Sequence, residues 1–412
     1  MRSKQRFRTY GGWLLATVGV IVAACFAVNC LVDPLWYLKG NVLTGVNYAF
    51  NERLAGIVRF LPRLADYDCV IFGTSRASLL PEEKIAGYRC YNLSFSDGNA
   101  PEYVLYAKYL RERGFAPRLL IVDVKRAEFI GPEEAVEVPD FIRTGAAPPS
   151  IFASYLSLDA LDFSIRTLRG DSPHHRYYDA DFRAELEVRS KRHRYDPPVP
   201  VKPEPAPFEV HAERVASYVE LRRQFPMARA IGYIPPESAW RIAAFSLTGE
   251  LDAYLAALGQ VAKAYDEFLD FSIPSPLTES REGTYDGSHY TRAVNARVLA
   301  GLLANQSDLA VDWRREDAAA TAALYHHRLA QFIDTPRQRP KPAQSDKRRG
   351  SLFGRFNSLL GPLGNWIRKW LILLRDWRRS LAHFRPEIYF CRQIPVQQGF
   401  RAVTLRCLAR SD

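Results

Sequence analysis

Apolar and polar positions follow a repeating order along most of this chain. Runs near 67–72, 89–94 and 118–124 are short, mostly apolar and end in small or polar residues. Such runs predict buried strands, because they are too short for helices and lack an exposed face. Helical spacing lies between them, from Glu102 to Gly114, and before them, from Asn51 to Leu61. The order breaks over 140–206, where a proline-rich stretch from Asp196 to Pro207 predicts an exposed, extended insertion. This insertion is either filler or a lid. The order resumes with a helix over Glu213 to Gln224 and a strand over Ala228 to Ile234. Pro235 and Pro236 end that strand, since proline cannot donate a ladder bond. A helix is predicted from Leu251 to Phe268, with Tyr254, Leu255, Leu258, Val261 and Tyr265 on one face. A short strand over Leu269 to Ser272 follows, and a helical pattern starts near Thr291. Strand–helix–strand alternation predicts an α/β fold with a parallel sheet.

The two ends read differently. From Gly11 to Val32 there are 22 residues without a charge. A helix of about 20 residues suffices to cross a bilayer. Arg2, Lys4, Arg6 and Arg8 precede the run, so the positive-inside rule puts the N-terminus in the cytoplasm and the body across the membrane. A cleaved signal is the rival, and Val22-Ala23-Ala24-Cys25 resembles a lipoprotein cleavage box. The apolar run continues past it through Phe26, Leu31 and Val32, which favours a retained anchor. The C-terminal stretch from Lys341 carries fifteen Lys or Arg and four Asp or Glu, hence +11, which is the net charge of the whole chain. The remainder sums to zero, which disfavours a nucleic-acid-binding body. Within the tail, Trp366, Trp370, Leu373 and Trp377 share one helical face and Arg368, Lys369 and Arg375 another. That pattern suits an interfacial helix on a lipid bilayer, or a helix packed on protein. The expected organisation is therefore a basic end and anchor (1–33), a neck (34–66), an α/β domain (67–333), a linker (334–350) and a basic tail (351–412).

Cysteine and histidine spacing suggests no metal or other cofactor. Neither C-x-x-C nor H-x-x-x-H occurs, and the pairs His174-His175 and His326-His327 point different ways on any regular element. Cys69 and Cys90 each start a predicted strand and are expected to pack as small apolar side chains. An oxidising compartment allows a bridge between them, but disulfide geometry is restrictive.

Chemistry concentrates in two segments. Val70-Ile71-Phe72-Gly73-Thr74-Ser75-Arg76 is a strand running into a small turn with a serine. Open α/β sheets place ligands at that end of a strand. Tyr285-Asp286-Gly287-Ser288-His289-Tyr290 holds an acid and a histidine three positions apart. A serine needs a base to become a nucleophile, and a histidine base needs an acid to fix its tautomer. Taken singly, each residue has a plain explanation as a turn or packing residue. The ordered set Ser75, Asp286, His289 is what points to acyl chemistry.

These blocks resemble the SGNH (GDSL-like) hydrolases in a membrane-anchored form, close to alginate O-acetylation proteins and the D-alanyl transfer protein of teichoic acid synthesis. Gly73-Thr74-Ser75-Arg76 is similar to the family's first block and Asp286-Gly287-Ser288-His289 to its last, while Tyr91-Asn92-Leu93-Ser94-Phe95-Ser96 resembles the second. The likeness covers roughly Tyr67 to Gln306. It implies a flavodoxin-like three-layer sandwich with Ser75, Asp286 and His289 as the catalytic triad. Its oxyanion donors would be the backbone of Ser75 and Gly98, with the Asn99 side chain as a further candidate. The chain departs from the pattern in two places. Asp97 stands where the family has glycine, and the G-x-N-D block is missing at the end of Leu119 to Val124. The resemblance implies an envelope-facing esterase or O-acyltransferase acting on a cell-envelope glycan or lipid. A membrane-embedded acyl-donor protein would be its partner. A degenerate scaffold or glycan-binding subunit is the alternative.

Overall fold

The computed structural model describes residues 2–48, 50–129, 135–172, 176–186, 195–197, 212–315 and 317–335. The tail from 351, the linker from 336 and the His174-His175 pair lie outside the described residues. Helix α1 (Arg2–Val32) comes first, and its Tyr10–Val32 portion is long and apolar enough to cross a membrane. It ends where Asp33 turns into the left-handed region and Pro34 follows. Next come β1 (Asn47–Tyr48) and α2 (Glu52–Phe60), whose first turn is capped by the Asn51 side chain.

The central sheet is built from six strands. β2 (Cys69–Phe72), β3 (Cys90–Asn92) and β4 (Leu119–Asp123) are joined by α3 (Ala100–Glu112) between the last two. Then α4 (Asp140–Thr144), α5 (Ile151–Tyr155), α6 (Leu158–Arg169), β5 (Arg176–Tyr178) and β6 (Ala184–Leu186) intervene. The rhythm returns with α7 (Ala212–Gln224), β7 (Arg229–Ile234), α8 (Ala239–Ser246), α9 (Leu251–Ala262) and β8 (Glu267–Asp270). It closes with α10 (Arg292–Ala304), β9 (Val311–Asp312) and α11 (Ala318–Asp334). The sheet order is β3-β2-β4-β7-β8-β9, parallel throughout except for the antiparallel β8–β9 pair. The protein is thus a mixed α/β fold with a mostly parallel sheet.

Period-2 alternation divides the sheet's two faces. Val70, Phe72, Leu120 and Val122 face one core with Tyr103, Leu110, Leu221 and Leu258. Ile71, Ile121, Ile231 and Tyr233 face the other, with Val298, Leu299 and Leu302 of α10. Both faces are covered by helices, so the strands read as continuous apolar runs.

Two expectations change, over Leu251 to Phe268 and at Cys69 and Cys90. The long helix predicted over Leu251 to Phe268 stops at Ala262, and Glu267–Asp270 is a strand. Within the region that breaks the strand–helix order, residues 140–186 hold three helices and a hairpin, and β5 pairs antiparallel with β1 of the neck. Of the stretch predicted to be extended, all but Asp196 and Pro197 lie outside the described residues. Cys69 and Cys90 are joined by a disulfide. They face each other because β2 and β3 pair in a register that sets Cys69 directly opposite Cys90.

Candidate active site

The sheet order reverses direction at β2. The chain goes from β2 to one side for β3 and returns to the other side for β4. Ser75 follows β2 and Asp123 ends β4, so both sit at this switch point. The turn carrying Ser75 is pinned from beneath. Buried Asp123 accepts hydrogen bonds from the Thr74 N–H at 3.0 Å and from Thr74 Oγ1 at 2.6 Å. Its other oxygen pairs with the Arg76 guanidinium at 3.5 Å. Gly73 is required here, since a Cβ would lie 2.7 Å from that of Asp123 and 2.4 Å from that of Ala77.

The second segment arrives between β8 and α10. Thr284 ties the loop into a tight unit: its Oγ1 donates to the His289 carbonyl at 2.8 Å and accepts from the Gly287 N–H at 2.9 Å. Gly287 has φ of +81°, a conformation that favours glycine. The Gly287 carbonyl accepts from the Ser238 N–H at 2.7 Å.

The three sequence-predicted side chains meet, although 210 or more residues separate Ser75 from the other two. Ser75 Oγ lies 2.7 Å from His289 Nε2, and His289 Nδ1 lies 2.7 Å from Asp286 Oδ2. Asp286 Oδ1 accepts from the backbone N–H groups of Ser288 and His289, each at 2.8 Å. Burial works to raise the Asp286 carboxyl. The His289 hydrogen bond and charge, with those two N–H donors, outweigh it and hold the group below its ordinary value. The acid is therefore ionised beside the imidazole at neutral pH. This is the arrangement in which a serine oxygen can pass its proton to a histidine held in one tautomer.

Neighbours that the sequence pattern did not flag shape the site. The Tyr285 ring stacks on His289 with centroids 5.5 Å apart. Burial, helped by the Asp286 charge, pushes its phenol up to about 12, so it stays neutral. Tyr195, from the insertion, is buried against the same loop: its ring fills the space where a Gly287 Cβ would point, and its hydroxyl lies 3.1 Å from Ser238 Oγ. A second ionic cluster lies next to Arg76. Buried Glu237 binds Arg126 at 2.8 Å and Arg241 at 2.9 Å, and the charge of Arg76 also acts on it.

Two oxyanion candidates are otherwise engaged. The Gly98 N–H donates to the Phe95 carbonyl at 3.2 Å. The Asn99 side chain caps α3, accepting from the Glu102 N–H at 3.2 Å, and its amide donates to the Ala135 carbonyl at 3.1 Å. The sequence carried this signal, because Asn99-Ala100-Pro101-Glu102 is a capping box with proline in the first turn. Among the described residues, the Ser75 and Asp97 N–H groups have no hydrogen-bond acceptor. Asp97 occupies the left-handed region, with φ of +51°. Its carboxylate points to solvent and lies 3.7 Å from the Lys125 ammonium, so its charge is screened. Among the described residues no cluster of His, Cys, Asp or Glu could hold a metal ion. No family model matches the chain, and no curated protein matches it.

Proposed function

We propose that this protein is a membrane-tethered serine esterase or O-acyltransferase of SGNH-like architecture, acting on an acylated cell-envelope glycan or lipid. One observation carries the reading: Ser75, His289 and Asp286 form a continuous hydrogen-bonded relay of 2.7 Å steps at the switch point of a parallel sheet. The five parallel strands follow the order 2-1-3-4-5 of flavodoxin-like sheets, which supports the same architecture. The Cys69–Cys90 bridge favours an oxidising compartment, as the envelope side of a membrane provides.

In this reading Ser75 Oγ attacks the acyl carbon while His289 Nε2 takes its proton. The bond from the acyl carbon to the leaving oxygen breaks, and His289 returns the proton to that oxygen. A sugar hydroxyl or water then gives its proton to His289 and attacks the acyl carbon, the bond to Ser75 Oγ breaks, and His289 returns the proton to that oxygen. Charge on the tetrahedral oxygen would rest on the N–H groups of Ser75 and Asp97. Asp286 stays ionised and stabilises the imidazolium.

A second reading is a scaffold or glycan-binding subunit that retains the triad without turnover. The engagement of Gly98 and Asn99 favours it. A fluorophosphonate probe separates the two. Labelling of Ser75 that disappears in His289→Ala supports the enzyme. No labelling of the folded protein, together with retention on an envelope glycan, supports the binder.

A further inference from the structure

Exposed apolar side chains gather in two segments that are fastened to the end of α1. Outside α1, ten large apolar side chains are exposed among the described residues, and seven of them lie in 38–43 or in 152–168. Val42 is 64% exposed, Phe152 63% and Leu158 65%. The other three, Met227, Leu247 and Ile333, lie far apart in the sequence, as scattered surface residues commonly do. A gathered set calls for an occupant.

Both segments are fastened to the end of α1. The Val42 N–H donates to the Leu31 carbonyl at 3.1 Å. Buried Asn29 donates from its side chain to the Tyr155 carbonyl at 2.8 Å and accepts from Ser164 Oγ at 2.7 Å. Tyr155 also donates to Asp33, just past the helix. The Phe152 ring stacks on Phe26, with centroids 5.3 Å apart and planes nearly parallel. Phe26 precedes Val32 by six residues. At 1.5 Å per residue, Phe152 therefore meets the helix roughly 9 Å inside the outer end of its apolar stretch. Interfacial segments bury their apolar faces about 5–10 Å into the boundary between headgroups and acyl chains. If α1 crosses a bilayer, Phe152 is already at that depth.

We infer that α5, the start of α6 and the 38–43 loop form a phospholipid-docking surface, inserted into the outer interface of the bilayer that α1 crosses. The inference rests on the membrane-spanning reading of α1. It deepens that reading: the α/β body does not swing on a tether but is fixed to the membrane at two places. Its occupant is lipid because the patch is continuous with the apolar flank of α1 through the Phe26–Phe152 stack.

Photocrosslinking tests it. The full chain is placed in phosphatidylcholine–phosphatidylglycerol vesicles that contain a phospholipid with a diazirine in its acyl chain, and labelled peptides are mapped by mass spectrometry. Lipid adducts are expected on α1, on 150–158 and on 38–43, several-fold above those on the peptide containing Met227. A Phe152→Ser, Leu156→Ser, Leu158→Ser variant with an unchanged melting profile should lose adducts on 150–158 and keep those on α1. Adducts on α1 with only background on the patch overturn the inference while leaving the anchor standing. Crosslinks through the patch between two copies, in place of lipid adducts, also overturn it. Absence of adducts on α1 removes the spanning reading, and the docking surface falls with it.

Discussion

At the scale of single residues, the site combines a hydrogen-bonded relay with a buried ionic cluster beside Arg76. Ser75→Ala, Asp286→Asn and His289→Ala should each lower acyl turnover by roughly 10^4-fold, with melting profiles close to the parent. Their effects should not add, because relay members act as a unit. Turnover of a chromogenic acetyl ester by the single and double variants measures this, and parent-like activity in Ser75→Ala would end the hydrolase reading. Glu237 has a different role. Burial would raise its carboxyl, but the Arg126 charge and hydrogen bond, then Arg241 and Arg76, hold it at about 2, against an ordinary value of 4.5. A carboxylate with a lowered folded pKa contributes stability that is complete above its unfolded pKa and lost as the pH falls through the folded one. Between about pH 4.5 and 2 the parent should therefore lose this contribution. Glu237→Gln should flatten that part of the profile. At pH 7 it should cost about 3–5 kcal/mol, since Arg126 is left buried without its partner. Urea unfolding at a series of pH values measures both, and an unchanged acid slope would show that Glu237 does not control it.

At the scale of elements, legibility followed how local each interaction is. The strands β2, β4 and β7 were readable because both of their faces are buried, which leaves an uninterrupted apolar run. The Leu251 to Phe268 pattern misled because Tyr265 continues the helical spacing past Ala262. Sheet pairing overrides that spacing: the Asp266 N–H donates to the Ala230 carbonyl, and Glu267 lies opposite Ile231. The β1–β5 pair joins Asn47 to Tyr178, and no local pattern announces a contact across so many residues. The disulfide was unreadable for the same reason, because it depends on which strands are neighbours and in what register. Ser75, Asp286 and His289 could be picked out because they lie in two short segments, each with its own turn chemistry. Asp123 was not, since an acid at a strand end gains its meaning only when β4 lies beside β2. The bridge now supports a prediction. Cys69→Ala with Cys90→Ala opens a loop with a sequence separation of 21, and should destabilise the oxidised protein by about 3 kcal/mol. Under reducing conditions the parent and the double variant should have the same urea midpoint. A difference that persists in reductant would assign the effect to packing in the apolar core around Ile71 and Leu119.

At the scale of the whole molecule, the question is which side of a membrane holds the body. The 23 residues of Tyr10–Val32 extend about 34 Å as a helix, against about 30 Å of hydrocarbon, so they are long enough to cross with little to spare. Four basic residues precede them within the first ten positions, and cytoplasmic flanks carry that excess. The far end of the helix leads into buried Asp33, which accepts from the N–H groups of Leu38 and Gly40 at 3.0 and 2.7 Å. The helix end is thus tied to the loop that follows it, since the Val42 N–H also donates to the Leu31 carbonyl. On this ground a retained helix is the expected outcome, and it can be tested. A full-length protein carrying an N-terminal reporter should report from the cytoplasm. One carrying a reporter inserted at the exposed Met227 turn, between α7 and β7, should report from the opposite side. High salt and alkaline carbonate should leave the protein in the membrane pellet, and detergent should release it, because burial of the helix does not depend on charge. Release by salt alone would mean that the body is held at the surface by electrostatics. A mature N-terminus at Cys25 would mean that the apolar run is a processed signal. In either case the burial of Asn29 against α5 and α6 would rest on its hydrogen bonds to Tyr155 and Ser164 alone.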